Sequence, residues 1–199
     1  MSIRACFVVL CAAVALAVGC QSRSSLPVSP SVSDAGHTLS AAAPTPLATV
    51  TDHGKTITIF DACDPETFND PDTGPGPGTC ARNGGVRFQD FVDQLMDRHT
   101  IGGWRFAPEQ TILRVGEVLS AFNNGGEAHT FTEVEEFGGG NVQFLNDILG
   151  LTTVAPECAQ AHLLFPGQSS TEVEDEEGVE KYQCCVHPWM RAEVRIVEK

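Results

Sequence analysis

The stretch richest in reactive groups is Tyr182-Gln183-Cys184-Cys185-Val186-His187-Pro188-Trp189-Met190, near the end of the chain. From Cys184 to Met190 it offers a thiolate, an imidazole and a thioether. Soft sulfur favours Cu(I) and imidazole also accepts Cu(II), so this donor set suits copper better than any other common biological metal. A site that tolerates both states can pass a single electron. Two adjacent cysteines compete for the ligand role, and strand alternation separates them, because successive side chains of an extended run point to opposite faces. Tyr182 is large and mostly apolar and Gln183 is polar, so Tyr182 and Cys184 should face inward while Gln183 and Cys185 point outward. Cys184 is the ligand candidate, with His187 three residues on and Met190 three beyond that.

A trigonal arrangement of one Cys and two His, with a weak Met ligand, needs a second imidazole. His129 is best placed to supply it: it follows Phe122-Asn123-Asn124-Gly125-Gly126-Glu127-Ala128 and precedes Thr130-Phe131, where one strand ends in a loop and another begins. The expected metal set is therefore His129, Cys184, His187 and Met190, holding one copper ion per chain.

The elements that must position these donors are mostly β. Thr56-Ile57-Thr58-Ile59-Phe60 alternates as a strand does, and Thr111 to Val115, Val118 to Asn123, Phe131 to Phe137, Leu163 to Phe165, Ser170 to Val173, Val179 to Cys184 and Arg191 to Val197 read as further short strands. Ser170 to Cys184 reads as a hairpin around Glu176-Glu177-Gly178. Asp61 to Gly85 interleaves Pro71, Pro75 and Pro77 with Gly74, Gly76 and Gly78 and is expected to be irregular. Phe88, Phe91, Val92, Leu95 and Met96 recur at helical spacing, predicting an amphipathic helix over Arg87 to Arg98 that buries these residues and ends at Gly102-Gly103. Asn141 to Leu149 is expected to form one or two helical turns. Short strands with Gly or Pro turns, and no regular strand-helix alternation, imply an all-β sandwich with a short helix and long loop inserts.

Phe106-Ala107-Pro108, Val115-Gly116-Glu117-Val118, Phe122-Asn123-Asn124 and His129 together resemble the middle of the cupredoxins, such as plastocyanin and amicyanin. The loop from Cys184 to Met190 looks most like that of amicyanin, with two residues between Cys and His, Pro after His, and one more residue before Met. The resemblance spans Phe106 to Lys199. It implies a Greek-key sandwich, a type 1 (blue) copper site and single-electron transfer without a transformed substrate, hence an electron carrier and not an enzyme. His187, Pro188 and Trp189 are expected near the surface, where a redox partner, a cytochrome or an oxidoreductase, would approach. The chain departs from those small carriers at Asp61 to Gly103 and at the Glu133 to Pro166 connection, both larger here, and at Cys185 beside the ligand cysteine.

The eight cysteines sort by compartment. Residues Met1 to Gly19 read as a signal peptide: Arg4 supplies the positive start, and Ala5 to Val18 is a small or apolar run too short to span a bilayer. Leu16-Ala17-Val18-Gly19-Cys20 resembles a bacterial lipobox, although Ala17 stands where Leu is usual; it implies cleavage before Cys20 and a lipid anchor there. Export with Cys6 and Cys11 removed and Cys20 acylated leaves Cys63, Cys80, Cys158, Cys184 and Cys185, an odd set in an oxidising compartment. Two disulfides and one thiol kept for metal fit that number. Cys63 and Cys80 flank the irregular segment and would close it, stabilising the fold by about 3 kcal/mol. Beside the departures just noted, Cys158 is the remaining partner for Cys185.

The resulting plan is a signal peptide over 1–19, a Ser/Ala/Pro tether over 20–47 and one domain over 48–199. The expected location is periplasmic or cell-surface, membrane-anchored through Cys20. A formal net charge of -14 excludes nucleic acid, which needs a cationic face, and suits a partner with a basic face; it also serves solubility alone. His37, His53, His99 and His162 read as solvated. The rival readings are an extracytoplasmic copper storage, delivery or sensing module, and a structural zinc site built from Cys158, Cys184, His129 and His187.

Overall fold

The computed structural model describes residues 54–199. The expected signal peptide, the tether and Cys20 lie outside the described residues, as do His37 and His53. Alternation sets the strands: β1 (Lys55–Phe60), β2 (Arg105–Ala107), β3 (Gln110–Arg114), β4 (Val118–Asn123), β5 (Thr132–Val134), β6 (Ser169–Val173), β7 (Gly178–Gln183) and β8 (Arg191–Val197). Three helices interrupt them, α1 (Pro65–Phe68), α2 (Phe88–Arg98) and α3 (Gln143–Leu149), with a 3-10 turn over Pro156–Gln160.

The strands form two four-stranded sheets, ordered β2-β1-β4-β6 and β3-β8-β7-β5. β1 runs parallel to β4 and β3 parallel to β8, and the other pairs are antiparallel. Period-two burial shows why they stack. β4 buries Leu119, Ala121 and Asn123, and β8 buries Ala192, Val194 and Ile196, each alternating with more exposed positions. Ile57, Ile59, Phe106, Leu119 and Ala121 from one sheet meet Leu113, Tyr182, Ala192, Val194 and Ile196 from the other in a single core. The molecule is a β-sandwich, and each fully buried Ile, Leu or Phe contributes about 1.5–3 kcal/mol to holding it. No helix among the described residues is long and apolar enough to cross a membrane.

Four local expectations change. Leu163 to Phe165 is not a strand; only Leu164 bridges, to His129, because the chain merely crosses the end of the sheet there. The segment after β1 is not wholly irregular, since Asp64 caps a single turn begun by Pro65. Met96 faces solvent at 61% exposure, as α2 turns Phe91 and Leu95 inward instead. α2 ends at Arg98 as expected, but what stops it is His99 in the left-handed region (φ 57°), whose N–H bonds to the Leu95 carbonyl, and not Gly102-Gly103.

Two disulfides tie the long inserts. Cys63–Cys80 closes the segment that carries α1, and Cys158–Cys185 fastens the connection between β5 and β6 to the residue following Cys184. Above the first, Phe68 packs edge-on to Phe88 and Phe91 and stacks on Trp104 at 5.8 Å. This aromatic cluster caps one end of the sandwich.

Candidate metal centre

Cys184 follows β7 directly, and the chain closes on itself at once. The Met190 N–H donates to the His187 carbonyl (2.9 Å), and the Cys184 N–H donates to the Met190 carbonyl (3.0 Å). Those bonds let β8 leave antiparallel to β7 while folding His187 back over Cys184. His129 is set by the loop after β4. The buried Asn123 amide donates to the carbonyls of Glu127 and Leu164 (2.8 and 2.7 Å), and its own oxygen accepts from Gly125 N–H, so the loop is pinned from inside. His129 exchanges both backbone hydrogen bonds with Leu164.

The structure brings together His129, Cys184 and His187, all buried, with ligand atoms within 4.8 Å of one another. Cys184 Sγ lies 3.7 Å from His129 Nδ1 and 3.9 Å from His187 Nδ1, and the two Nδ1 atoms are 3.2 Å apart. A transition-metal ion at ordinary bond lengths, about 2.0–2.1 Å to nitrogen and about 2.3 Å to sulfur, keeps three such donors about 3.2–3.9 Å apart. The donors therefore fit one ion. Met190 is buried in the same core as Cys184, with its backbone closing the loop. Cys184 is the free cysteine of the described residues, while Cys158 is bonded to Cys185 and cannot complete a four-ligand zinc set. That alternative is corrected by the pairing itself.

The surroundings supply two features that residue spacing did not show. Thr130 N–H points at Cys184 Sγ (3.4 Å), and the Thr130 hydroxyl accepts from Cys185 N–H (2.7 Å), so one residue positions both cysteines. Behind each imidazole stands a buried carboxylate. His129 Nε2 is 2.9 Å from Asp61 Oδ2, with both side chains essentially inaccessible. His187 Nε2 is 3.8 Å from Glu127 Oε2, which also accepts from Trp104 Nε1 at 2.5 Å. Asp61, Glu127 and His129 themselves form a second close group of potential ligands. Asp61 left no signal in the sequence, lying 68 residues from His129. Glu127 was visible as an acidic residue in a Gly/Asn loop, though not as a neighbour of His187.

Charge follows geometry. Burial opposes ionisation of Asp61, but the His129 hydrogen bond and then the Glu127 and Gly126 N–H groups bring it down to about 2. Burial likewise disfavours a charged His129; the Asp61 hydrogen bond, followed by the Cys184 contact, outweighs it and lifts the imidazole to about 10. Cys184 is resisted by burial yet held well below the usual thiol range by hydrogen bonds from His129 and His187. Glu127 is pushed up by burial, against the nearby His187 and the Trp104 hydrogen bond. The pocket favours a thiolate beside positive charge, the balance a bound cation would meet.

Two expectations about access are corrected. His187 is 3% exposed, Pro188 is buried and Trp189 is half-buried, so the ligand loop is not a surface loop. The reason is the first insert: Phe91 of α2 lies over His187 and Trp189, at 6.3 and 5.9 Å between ring centres. Gln183 and Cys185 do point away from Cys184, but not into solvent. The second insert covers that face, with Cys185 in a small core of Val134, Ala155 and Cys158, and Gly138 N–H donating to the Gln183 side chain (2.9 Å).

No protein-family model matches the chain, and no curated protein matches it. Solved structures do. A purple cupredoxin from Nitrosopumilus maritimus is similar at 21% identity and TM-score 0.36, over 49% of this chain and 87% of that one. Amicyanin from Paracoccus versutus is similar at 19% identity and TM-score 0.33, over 49% and 76%. The Cu(I) form of an amicyanin variant is similar at 18% identity and TM-score 0.33, over 47% and 73%. At these scores the likeness adds nothing to the sandwich already evident from the strand order.

Proposed function

We propose that this protein is a type 1 copper protein that carries single electrons between redox partners outside the cytoplasm. The observation that supports the reading best is the buried convergence of one thiol and two imidazole Nδ1 atoms within 4.8 Å. Bound copper would supply a one-electron couple there. Cys184 would contribute the thiolate, His129 and His187 the imidazoles and Met190 the thioether. The protein's part is to hold these donors ready: Thr130, Asn123 and the short hydrogen bonds of the 184–190 loop fix them before any ion arrives, so little need reorganise as charge changes. Burial keeps water from the donors. No substrate is converted in this reading, so the protein is a carrier and not an enzyme.

Its acidity favours a redox partner with a basic face, which would have to approach over the aromatic cap because His187 is covered. The Leu16 to Cys20 pattern supports export and a lipid anchor at Cys20, and radiolabelled fatty acid should appear on the wild-type chain but not on Cys20→Ser. Adding Cu(II) to the purified protein is the decisive experiment. One equivalent bound with intense visible absorption, abolished by Cys184→Ser, is expected; binding of colourless Cu(I) alone would indicate storage or delivery, and retained zinc without redox response would indicate a scaffold.

A further inference from the structure

We propose that Asp61 is a positioning residue which fixes His129 with its Nε2 protonated and its Nδ1 directed to the metal, and that its fixed charge lowers the site's reduction potential. The inference rests on the copper reading above and extends it to a residue outside the ligand set. Asp61 directly follows β1 at the mouth of the first insert, and both its oxygens are already committed. Oδ1 accepts from Gly126 N–H (2.9 Å) and Cys63 N–H (3.3 Å), and Oδ2 accepts from Gly126 N–H (2.8 Å) and Glu127 N–H (2.9 Å). Backbone N–H groups only donate, so this cradle selects an ionised carboxylate that can only accept. His129 Nε2, 2.9 Å from Oδ2, must then be the donor, so that when the ring gives up one proton to take a metal it is Nδ1, on the side of Cys184 and His187, that carries the lone pair. A hydrogen bond from a ligating imidazole to a carboxylate fixes the ring and raises its basicity.

The cradle is built for this group. Gly125 approaches Asp61 so closely that a Cβ there would collide with its carboxylate, and the Asp61 side chain is 1% exposed. A buried negative charge one imidazole away from the ion stabilises the more positive oxidation state, because low-dielectric surroundings screen it weakly. Asp61 should therefore favour Cu(II) over Cu(I). A merely structural residue would not do so.

The test compares Asp61→Asn with the unmodified full chain, both loaded with copper, by redox titration. A tenfold or greater rise in the ratio of Cu(I) to Cu(II) affinity is expected, which for one electron is a rise of about 59 mV. An unchanged potential in a folded, copper-loaded variant overturns the proposal. Should the variant fail to fold, nitrogen-detected NMR of the unmodified Cu(I) form decides: a slowly exchanging proton on His129 Nε2 supports the proposal, and an unprotonated Nε2 overturns it. Failure of the unmodified chain to bind copper would instead sink the electron-carrier reading. On the metal-free chain, the tautomer that His129 adopts once its imidazolium has lost one proton would still judge the positioning role of Asp61: a proton kept on Nε2 supports it, and one kept on Nδ1 overturns it.

Discussion

The first insert, 61–103, and the second, 133–166, are each tied by one disulfide, and they act on the ligand loop by different means. The first brings side-chain chemistry: the Asp61 carboxylate behind His129, and the rings of Phe68 and Phe91, which with Trp104 bury the His187 edge. The second brings backbone. Asn141 N–H donates to the Cys185 carbonyl (2.6 Å), and Gly140 sits so close to that carbonyl that a Cβ would collide with it. One insert sets the electrostatics and access of the pocket, and the other holds the strand that carries Cys184. Similar covalent staples thus serve different physical ends.

Removing the cap should have the largest effect. Phe91→Ala deletes a ring that is 2% exposed and central to the aromatic cluster, and a loss of about 3–5 kcal/mol in urea unfolding is expected. A loss below about 1 kcal/mol would mean that the first insert is not part of the same cooperative core. The disulfides come next. Their sequence separations of 17 and 27 give similar loop-closure contributions, about 3 kcal/mol for Cys63→Ser with Cys80→Ser and about 3.5 kcal/mol for Cys158→Ser with Cys185→Ser. The contrast lies in a second readout: loss of the Cys63–Cys80 bond, in the insert that governs access, should speed modification of Cys184 by a thiol reagent more than loss of the Cys158–Cys185 bond. Equal rates in the two variants would erase the distinction between the inserts.

A smaller effect is expected at Thr130→Val, which leaves the buried Cys185 N–H without its acceptor; a loss of about 1–3 kcal/mol should appear in the same unfolding assay. The last lies at the turn between β6 and β7, away from the ligand loop, and serves as a control. Glu174 is buried beside the carboxylates of Glu180 and Glu172, where burial first and the neighbouring Glu180 next lift it to about 8. Its proton is held in the folded chain between its ordinary value near 4.5 and about 8, so the folded state binds more protons there and stability from this group falls as pH rises through that window. Glu174→Gln should flatten that decline. An unchanged slope would show that Glu174 does not titrate with folding.

Much of the architecture was legible because it rests on local alternation. β4 and β8 lie where their period-two patterns predicted, and α2 starts within a residue of its expected position. The same alternation separated Cys184 from Cys185, and the odd cysteine number asked for one free thiol, which the structure leaves at Cys184. Local pattern is silent where a face has two candidate partners. Gln183 and Cys185 were placed on the outer side correctly, but whether that side met water depended on how a connection of low periodicity folds back. Met96 failed for a related reason, since helical spacing admits several apolar stripes and only packing selects one.

By itself, then, the sequence determined the donor types, their spacing around Cys184 and His187, and the sandwich that carries them, since these follow from neighbours along the chain. Only the tertiary structure decided that His129 meets them at Nδ1, that Asp61 and Glu127 stand behind the imidazoles, and that Phe91 closes the edge where the loop was expected to be open. Asp61 and His129 are 68 residues apart, and no local propensity links them. Their contact exists because β1 and β4 pair in parallel and deliver both chain ends to the same end of the sheet.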